Sequence, residues 1–529
     1  MSTRYTALTI GPIYDTMRLT STPAGLWGAS GLFSWIAREL IDRLIRQGVP
    51  AERFISPWFQ LRDGQIVLSE GEEDCVCEEM RARGVGLFHD RLLFEGDWRE
   101  EARAAVTQVN ETLAAKLWDS LQKASQTWDE EAIRAWLRGA LRIGVLAMDV
   151  PDGAAPADYL GRYLSALELE PNFVIREREN PLLALFENTF AAVQPEAEGR
   201  NERLKESFLR PKGDWILRKG RDNIRNLADV ANPGGEKLRW KSQQYYAVLK
   251  SDGDSMGEIL SALTGREEIR AYSRKCLLFC AQAAKVIADY GGMPIYAGGD
   301  DLLALAPVVG YDPKTKEPCS VFRLAELLRG IFNQHFSTER VLYYGKPAIS
   351  FGIAVQYVKS PLYEALERAD EMLGRAKSGA KNACYLNLQK RSRFMVDIYE
   401  TLLDEREKTR GNTLLSVLDE MLMQVRREDI EFLSSVGSQF EVFRPLFLVA
   451  LKQEREGSTG LANLFDNLFD SVGQRKFEDY LQKLKDCTLR IVEEGAPEEA
   501  ETTMDRLQAL VRLLHFMQET GAEEEEVGE

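Results

Sequence analysis

The chain has 529 residues, of which 44% are hydrophobic and 28% are charged. This length exceeds what one hydrophobic core can organise and predicts several domains, and the composition excludes a wholly disordered, collagen-like or coiled-coil protein. The 83 acidic and 67 basic residues give a net charge of −16, which repels phosphate backbones. Any nucleic acid partner must therefore be held by a local basic patch or by other subunits.

The cysteines and the N-terminus indicate a cytoplasmic protein without membrane insertion. None of the seven cysteines forms a C-x-x-C pair, and neither Cys75/Cys77 nor Cys276/Cys280 has the spacing or the nearby histidines of a zinc site. We therefore expect no structural zinc and no disulfide framework. The start of the chain lacks the features of a signal peptide. Residues 19–37 carry no charge, but their Ser, Thr, Pro and Gly residues favour a buried loop and helix over a membrane span.

In chain order, the first 150 residues begin with the strand-like TALTIGPI and the helix-like GLFSWIARELIDRLIRQG, whose apolar residues recur at three- and four-residue intervals. The extended segments QIVLSE and GLFHDRLLFEG come next. A long polar helical region from Trp98 to about Ala140 and the apolar run IGVLAMDVP follow. The order β-α-β-β-α-β predicts a ferredoxin-like domain.

The same order returns after residue 240, with YYAVLKSD as its first strand and MPIYAGG and DLLALAPV as a hairpin. AISFGIAVQYV is its last strand, and PLYEALERADEMLGRAKSG and ACYLNL close the unit. We thus predict an α+β protein with two ferredoxin-like domains, 1–150 and 241–390. A mostly helical middle domain (151–240), a helical C-terminal domain (391–520) and an acidic tail (521–529) complete the predicted organisation.

The strongest chemical signal is a pair of acidic motifs in the second ferredoxin-like unit. Asp300 and Asp301 follow Gly298 and Gly299 between two apolar runs, which predicts a tight hairpin. The glycines permit positive φ values and leave room for a polyphosphate. Asp252, in S-D-G-D, ends another apolar strand. Since these strands are neighbours in a β-α-β-β sheet, we expect the three carboxylates to converge at one edge.

Three clustered carboxylates repel one another unless divalent cations lie between them, and Mg²⁺ prefers hard oxygen ligands completed by substrate phosphates. Two Mg²⁺ or Mn²⁺ ions would activate an attacking hydroxyl and stabilise the leaving pyrophosphate. Each motif alone is also explained as a common Asp/Gly turn. Their combination on two strand ends favours the functional interpretation.

Basic and helix-initiating residues nearby support a nucleotide site. Lys377 and Lys381, four residues apart at a predicted helix end, can meet a triphosphate; helix C-capping is the alternative explanation. Ser255 and Met256 begin a helix directly after the first acidic motif, where backbone N–H groups are available to phosphate oxygens.

These motifs resemble the palm shared by GGDEF-type nucleotide cyclases and nucleic-acid polymerases. Together with the N-terminal IGPIYDT and GLWGASGLFSWIA, they resemble more narrowly the large palm-domain subunit of type III CRISPR effector complexes, Cmr branch. The resemblance implies two ferredoxin-like, GGDEF/cyclase-like palm domains with a helical middle domain and an all-α C-terminal domain.

The same resemblance implies a catalytic subunit that uses ATP to make a nucleotide second messenger when target RNA is bound. Its implied partners are other Cmr-type subunits, including a small helical one, the guide CRISPR RNA and the target RNA. The product stays open between a cyclic or linear oligoadenylate and AMP joined to another small molecule. The residues carried over by position are catalytic, metal-binding Asp252, Asp300 and Asp301, backbone ligand Gly253, turn-forming Gly298 and Gly299, nucleotide-binding Ser255, Met256, Lys377 and Lys381, and supporting Asp254.

The sequence also departs from the family. Many members begin with a His-Asp nuclease domain, whereas this chain has three histidines and a single His-Asp pair, His89-Asp90. A metal phosphohydrolase needs more such ligands, so we expect a turn there and no nuclease activity. In the first unit, Gly11-Pro12 stands in place of DGD and His89-Asp90 in place of GGDD. We interpret this unit as an inactive copy that supplies a wall of the nucleotide site.

Two other functions remain as alternatives. One is a free-standing dinucleotide cyclase acting on GTP, against which the doubled palm and the Asp at the fourth GGDD position argue. The other is a non-catalytic palm scaffold, against which three intact carboxylates and two lysines argue, because an unpaired acidic cluster is costly to keep.

Overall fold

The structure is a computed structural model that describes most of the chain. The described residues are 2–68, 88–123, 128–169, 180–189, 226–235, 237–337, 347–379, 381–391, 395–401, 413–427, 433–454, 460–469, 478–494 and 500–520.

The N-terminal unit alternates strands with helices that cover them. Its elements are β1 (Ser2–Gly11), α1 (Ile13–Arg18), α2 (Pro23–Arg46), β2 (Phe54–Ser56), β3 (Gln60–Arg62), β4 (Gln65–Val67), β5 (Arg91–Glu95), α3 (Arg99–Lys123), α4 (Glu130–Ala140), β6 (Arg142–Pro151), α5 (Pro156–Glu168) and α6 (Pro181–Thr189).

Four of these strands form an antiparallel sheet in the order β2-β5-β1-β6. This is the order that a β-α-β-β-α-β chain gives, so the ferredoxin-like prediction is confirmed. One strand assignment was wrong. QIVLSE contributes β4, which pairs only with β3 in a separate hairpin. The second sheet strand is instead Phe54–Ser56, whose three residues are too few to show an alternating pattern.

Helix α2 contains most of the uncharged stretch. Thr22 caps it by accepting a hydrogen bond from the Gly25 N–H, and Pro23 occupies its first turn. Leu26, Leu32 and Ile36 are fully buried, so the stretch is a loop and a buried helix as expected. No helix in the part of the chain that the structure describes is long and apolar enough to cross a membrane.

The first unit extends beyond its predicted boundary at residue 150. Leu160 and Leu164 of α5 share a small core with Tyr5, Leu93 and Val150 of the sheet, because the face of the sheet opposite α2 would otherwise be exposed. Helix α6 packs on α2 and α3. Much of the predicted middle domain, 170–179 and 190–225, lies outside the described residues.

The second unit repeats the plan at greater length. Its elements are α7 (Leu227–Ala231), β7 (Tyr245–Asp254), α8 (Met256–Ala262), α9 (Arg266–Tyr290), β8 (Met293–Gly298), β9 (Asp301–Pro307), β10 (Val309–Tyr311), β11 (Pro318–Ser320), α10 (Val321–Phe336), β12 (Ala348–Tyr357), α11 (Leu362–Ser378), β13 (Ala383–Gln389) and β14 (Met395–Thr401).

The second sheet has the order β14-β13-β12-β7-β9-β8, of which β12-β7-β9-β8 repeats the ferredoxin-like order of the first. Strand β13 joins it parallel to β12, and β14 joins antiparallel to β13. The prediction that the chain is helical from residue 391 was therefore wrong at its start. The β-branched and aromatic residues of MVDIYET in β14 are typical of a strand, and the helical pattern of the following segments obscured this signal.

The rest of the described chain is helical, as predicted. Its elements are α12 (Leu414–Arg427), α13 (Leu433–Val442), α14 (Arg444–Glu454), α15 (Gly460–Phe469), α16 (Glu478–Glu494) and α17 (Ala500–Gln518). The ring of Phe516 in α17 meets Tyr245 at the start of β7 edge to face, with centroids 4.9 Å apart. The acidic tail, 521–529, lies outside the described residues, and the other domain boundaries stay predictions.

Helix α9 of the second unit lies against β2 of the first. The Arg270 guanidinium donates to the Phe54 carbonyl, and the Ser273 hydroxyl accepts from the Trp58 N–H at 2.9 Å. Arg266 also lies 3.6 Å from Glu95. These contacts join the two units near the cavity that residues 89–90 and 300–301 line together.

We expect Gly352→Ala in β12 to destabilise the protein by at least about 1–3 kcal/mol. A Cβ there would overlap the Ala369 carbonyl and the Leu373 N–H of α11, and neither backbone can move without separating helix from strand. Gly374→Ala is the matched control, since a Cβ at that position in α11 meets nothing within 4 Å; it should stabilise slightly. Thermal unfolding of the two variants measures the difference, and equal melting temperatures would contradict this packing.

Candidate active site

Two neighbouring antiparallel strands bring the predicted carboxylates together. Ser251 of β7 pairs with Leu302 of β9, so Asp252 lies one residue beyond that pair, beside Asp300 and Asp301. One carboxylate oxygen from each of these three aspartates lies within 4.8 Å of the others. The structure thus places all three predicted carboxylates at one edge of the sheet, as expected. We call them the acidic triad.

Glycines allow this approach, but not all in the predicted way. A Cβ on Gly253 would lie 2.6 Å from Asp300 Oδ2, so only glycine lets the two strand ends approach so closely. Gly299 has φ +68° and open space beside it. Gly298 is not among the positive-φ residues, and its side-chain space is filled by the Tyr296 hydroxyl. Room for a phosphate therefore exists beside Gly299 rather than beside both glycines.

The triad is electrostatically strained in the absence of cations. Burial, reinforced by the negative charge of Asp252, raises the pKa of Asp300 to about 7. Burial, reinforced by Asp300 and Asp252, also raises the pKa of Asp301 well above its ordinary value. Desolvation and like charges both disfavour ionisation, and they act together here.

Lys377 lies in the last turn of α11 and forms an ion pair with Asp252. Its Nζ also donates to the Gly253 carbonyl at 3.3 Å, the oxygen that was predicted as a backbone metal ligand. The lysine is thus the cation closest to the place where a metal would bind, and it partly offsets the charge of the triad.

Lys381 reaches the site by a route that the sequence did not predict. Helix α11 ends at Ser378, so Lys381 is not a fourth-residue neighbour of Lys377 on one helix. It adopts φ +56° in a turn after Gly379, and its Nζ donates to Ser255 Oγ at 3.4 Å. Both lysines nonetheless end at the same edge of the sheet.

Asp254 and its neighbours shape the strand end instead of joining the triad. Asp254 Oδ2 accepts from the Ser350 hydroxyl and the Asn382 N–H, each at 2.8 Å. Burial raises its pKa, against these hydrogen bonds. Ser255 turns the chain with φ +61°, and Met256 is buried beside Gly253. These contacts agree with the supporting role predicted for Asp254.

The first unit faces the triad with its equivalent edge. The pair Thr9–Arg91 in the first sheet corresponds to Ser251–Leu302 in the second. Counted from these pairs, the two residues before β5 occupy the place of Asp300-Asp301. The sequence Ile10-Gly11-Pro12 likewise falls on Asp252-Gly253-Asp254.

The two residues before β5 are His89 and Asp90. They do not belong to the cluster of potential metal ligands among the described residues. His89 Nε2 lies 3.1 Å from Ser56 Oγ, and His89 Nδ1 accepts from the Arg91 N–H at 3.3 Å. Burial and the Arg91 charge lower the pKa of His89 to about 4, so it is neutral. His89 and Asp90 lie just before β5, outside the strand.

Three residues near the triad escaped the sequence interpretation. Lys250 forms an ion pair with Asp370, and its Nζ lies 4.2 Å from the centroid of the Tyr14 ring. Burial, with the negative charges of Asp301 and Asp370, raises the pKa of the Tyr14 hydroxyl. Tyr14 belongs to the GPIYDT segment of the first unit. That segment contributed to the family resemblance, but the sequence assigned Tyr14 no role.

A cavity of about 380 Å³ lies between the two units. This volume falls in the range of small-molecule sites. The second unit contributes Gly298, Gly299, Asp300 and Asp301 and the first unit His89 and Asp90 to its wall, together with residues 157–164 of α5 and 269–276 of α9. The edge of the first unit therefore forms one wall of this cavity.

Comparison with known proteins agrees with this geometry. Residues 245–385 match the family model described as Cas10/Cmr2, second palm domain. This part of the chain is similar to the second palm domain of Cas10/Cmr2. It includes the triad, Lys377 and Lys381, so the resemblance seen in the sequence is confirmed.

The chain is also similar to one curated relative and to solved structures. The CRISPR system Cmr subunit Cmr2 of Pyrococcus furiosus is 28% identical over 198 residues, which cover 32% of this chain and 21% of the relative. A Csm1–Csm4 cassette in complex with cA4 has a TM-score of 0.51 at 12% identity, covering 98% of this chain and 70% of that one. Csm1 of T. onnurineus has a TM-score of 0.51 at 13% identity, with the same coverage. At these identities the structures show a shared fold.

The second unit offers a donor set that fits divalent metal. Its three carboxylates are hard oxygen ligands on rigid strand ends, and burial with like charge raises the pKa values of Asp300 and Asp301. Asp252, Asp300 and Asp301 would hold the ions. The Gly253 carbonyl would add a ligand once Lys377 moves away.

We expect Asp300→Asn to stabilise the metal-free protein, and to do so more at pH 8 than at pH 5. Because folding raises the pKa of Asp300 from 3.8 to about 7, the wild-type protein loses stability as the pH rises through this window, whereas asparagine cannot ionise. The gain at pH 8 should be on the order of 1–3 kcal/mol. Thermal unfolding in EDTA at the two pH values measures it.

Asp312→Asn is the control with the opposite sign. Burial alone would raise the pKa of Asp312, but N–H groups of Lys314 and Thr315 and the Arg323 guanidinium outweigh burial and lower it. The stability that Asp312 contributes is therefore present above its ordinary pKa of 3.8 and is lost as the pH falls. This variant should be destabilised at both pH values. Destabilisation of Asp300→Asn at pH 8 would contradict the account of the triad.

Proposed function

We propose that this chain is the nucleotide-synthesising subunit of a type III CRISPR complex of the Cmr branch and that it uses ATP in response to bound target RNA. The observation that carries the proposal is the convergence of Asp252, Asp300 and Asp301, two of which, Asp300 and Asp301, line a cavity of about 380 Å³. The like charges that help to raise the pKa values of Asp300 and Asp301 serve no evident structural purpose, whereas clustered carboxylates are typical of metal-dependent phosphoryl chemistry.

In the proposed reaction, a hydroxyl oxygen attacks the α-phosphorus of ATP. A new P–O bond forms as the α–β phosphoanhydride bond breaks, and pyrophosphate leaves. Bound Mg²⁺ or Mn²⁺ would supply activation of the hydroxyl and neutralisation of phosphate charge. The three aspartates would hold the ions on fixed strand ends, so little reorganisation is needed during the reaction.

The lysines bring positive charge to the triphosphate. Lys377 lies against Asp252 and the Gly253 carbonyl, within reach of any phosphate placed between the strands. Lys381 lies beside Ser255 at the start of α8. In this proposal, Lys377 exchanges its carboxylate partner for the triphosphate when nucleotide and metal bind, so it stabilises both the empty and the loaded site.

The first unit closes the site from the other side. His89 and Asp90 line the cavity, and among the described residues the acidic triad is the one cluster of potential metal ligands. His89 and Asp90 exclude water and limit the space available to the base and to the attacking group. A dimer of palms is thereby built into one chain.

Support for ATP as substrate and for an oligoadenylate product comes from a relative. One solved structure with this fold is a Csm1–Csm4 cassette in complex with cA4. A cyclic or linear oligoadenylate, or AMP joined to another small molecule, is compatible with the same chemistry. The net charge of −16 favours guide and target RNA being held mainly by partner subunits, including a small helical one.

The test is pyrophosphate release by the purified complex with ATP, Mg²⁺ or Mn²⁺ and guide-complementary RNA. We expect release that requires both ATP and RNA, and a fall of at least about 100-fold in Asp300→Ala/Asp301→Ala, because the charge stabilisation of the transition state is lost. Glu100→Ala/Glu101→Ala, at the start of α3 on the opposite edge of the first sheet, removes the same charge and should leave release unchanged.

Two results would contradict the proposal. RNA-independent turnover of GTP would indicate a free-standing dinucleotide cyclase. Absence of turnover with either nucleotide, in a complex that binds guide and target RNA, would indicate a palm kept as a scaffold.

A further inference from the structure

A second cavity, of about 540 Å³, lies at the other end of β7 from the acidic triad. It is lined by residues 231–234, 237, 239–240 and 242–243, by the β10–β11 hairpin and by the end of α12. Ser242 in its wall precedes β7, whereas Asp252 lies near the end of that strand. At ~3.3 Å per strand residue, more than about 20 Å separates the two places. The cavity is therefore distinct from the site described above.

The charge of this cavity is opposite to that of the chain. Among the described residues, each ionised side chain in its lining is basic: Lys237, Arg239, Arg426 and Arg427. The whole chain, in contrast, has 83 acidic and 67 basic residues. These cations come from two separate chain segments, no carboxylate of the described residues shares their wall, and they repel one another. Such a concentration of positive charge is favourable where it meets an anion.

Two of the guanidinium groups are positioned by one indole ring. The guanidinium carbons of Arg239 and Arg426 lie 4.9 and 5.0 Å from the Trp240 ring centroid. Arg426 Nη1 also donates to the Ser242 hydroxyl at 2.7 Å. Burial and the nearby Arg239 charge lower the pKa of Arg426 to about 10. No carboxylate of the described residues forms an ion pair with Arg426, so a bound anion would relieve this cost.

The position of Trp240 is itself well fixed. Trp240 forms an isolated antiparallel β-bridge with Thr520, two residues after α17. Its backbone N–H donates to Gln243 Oε1 at 2.9 Å. The neighbouring Lys241 N–H donates to the Glu519 carbonyl at 2.8 Å. The wall that carries the arginines is thus fixed on both sides before any ligand arrives, which lowers the entropic cost of binding.

Helix capping explains only part of this arrangement. Arg426 and Arg427 lie in the last turn of α12, where basic side chains offset the helix dipole. That effect does not account for Arg239, which comes from a separate segment and meets the same indole ring. A planar guanidinium fork matches phosphate oxygens, and several of them around one cavity are typical of phosphate recognition.

We propose that this second cavity binds a small phosphate-bearing ligand of the nucleoside diphosphate class, with Arg239, Arg426 and Arg427 on its phosphates. The volume is that of a small-molecule site. Tyr311, 46% exposed at the rim, offers a ring on which a base can stack. A strand of RNA would instead need an extended basic groove with successive stacking residues.

The test is calorimetric titration of the full chain with ADP in EDTA, where metal-dependent binding at the triad is suppressed. We expect binding by the wild type and affinity at least 10-fold weaker in Arg239→Gln/Arg427→Gln. Both side chains are exposed, so this variant should keep the wild-type melting temperature. Because the assay contains no metal and does not measure pyrophosphate, its outcome is independent of the proposed synthesis.

The matched control is Arg103→Gln/Arg138→Gln, which removes the same charge from two exposed positions on α3 and α4. It should bind ADP like the wild type. Absence of ADP binding, or equal weakening in both double variants, would overturn the proposal. Binding of a 12-nucleotide single-stranded RNA that depends on Arg239 and Arg427, without ADP binding, would also overturn it and would indicate an RNA contact.

Discussion

Repulsion among three carboxylates at one edge of a sheet is the constraint around which the second unit is organised. The antiparallel pairing of β7 with β9 places Asp252 beside Asp300 and Asp301, and Gly253 removes the side chain that would keep them apart. Among the described residues, the ion pair from Lys377 is the compensation that the triad receives. A fold retains such a costly arrangement where a ligand of opposite charge repays it.

Because the palm is duplicated, the equivalent edge of the first unit forms a wall of the cavity beside the acidic triad. The two sheets share one strand order, and their equivalent edges face each other across a cavity to which both contribute. In the first unit, the neutral His89 and the apolar Ile10 stand in the places of Asp300 and Asp252, and Asp90 stands in the place of Asp301. Three carboxylates therefore converge in the second unit, whereas the equivalent edge of the first unit has one and lines the cavity. Two hydrogen bonds join the units: Arg270 donates to the carbonyl of Phe54 in β2, and the Ser273 hydroxyl accepts from the N–H of Trp58, two residues after β2. Strand β2 is the strand of the first sheet that the sequence did not predict.

The strand order and the acidic triad could be predicted because each depends on local pattern. Long apolar runs ending in Asp-Gly motifs fix both where a strand stops and which side chains follow it. Strand β2 could not be found, since its burial comes from contacts with β5 and α9 rather than from its own three residues. The route of Lys381 was missed for a similar reason: a left-handed turn after α11, rather than helical spacing, returns it to β7. Tyr14 and Lys250 meet only in the folded chain.

Anomalous diffraction from crystals of the protein grown with Mn²⁺ and a non-hydrolysable ATP analogue tests the central claim most directly. The account predicts manganese peaks between Asp252, Asp300 and Asp301, with the triphosphate in the cavity between the two units and Lys377 turned from Asp252 towards it. Manganese absent from the triad, or an analogue bound elsewhere while Lys377 keeps its ion pair with Asp252, would contradict it.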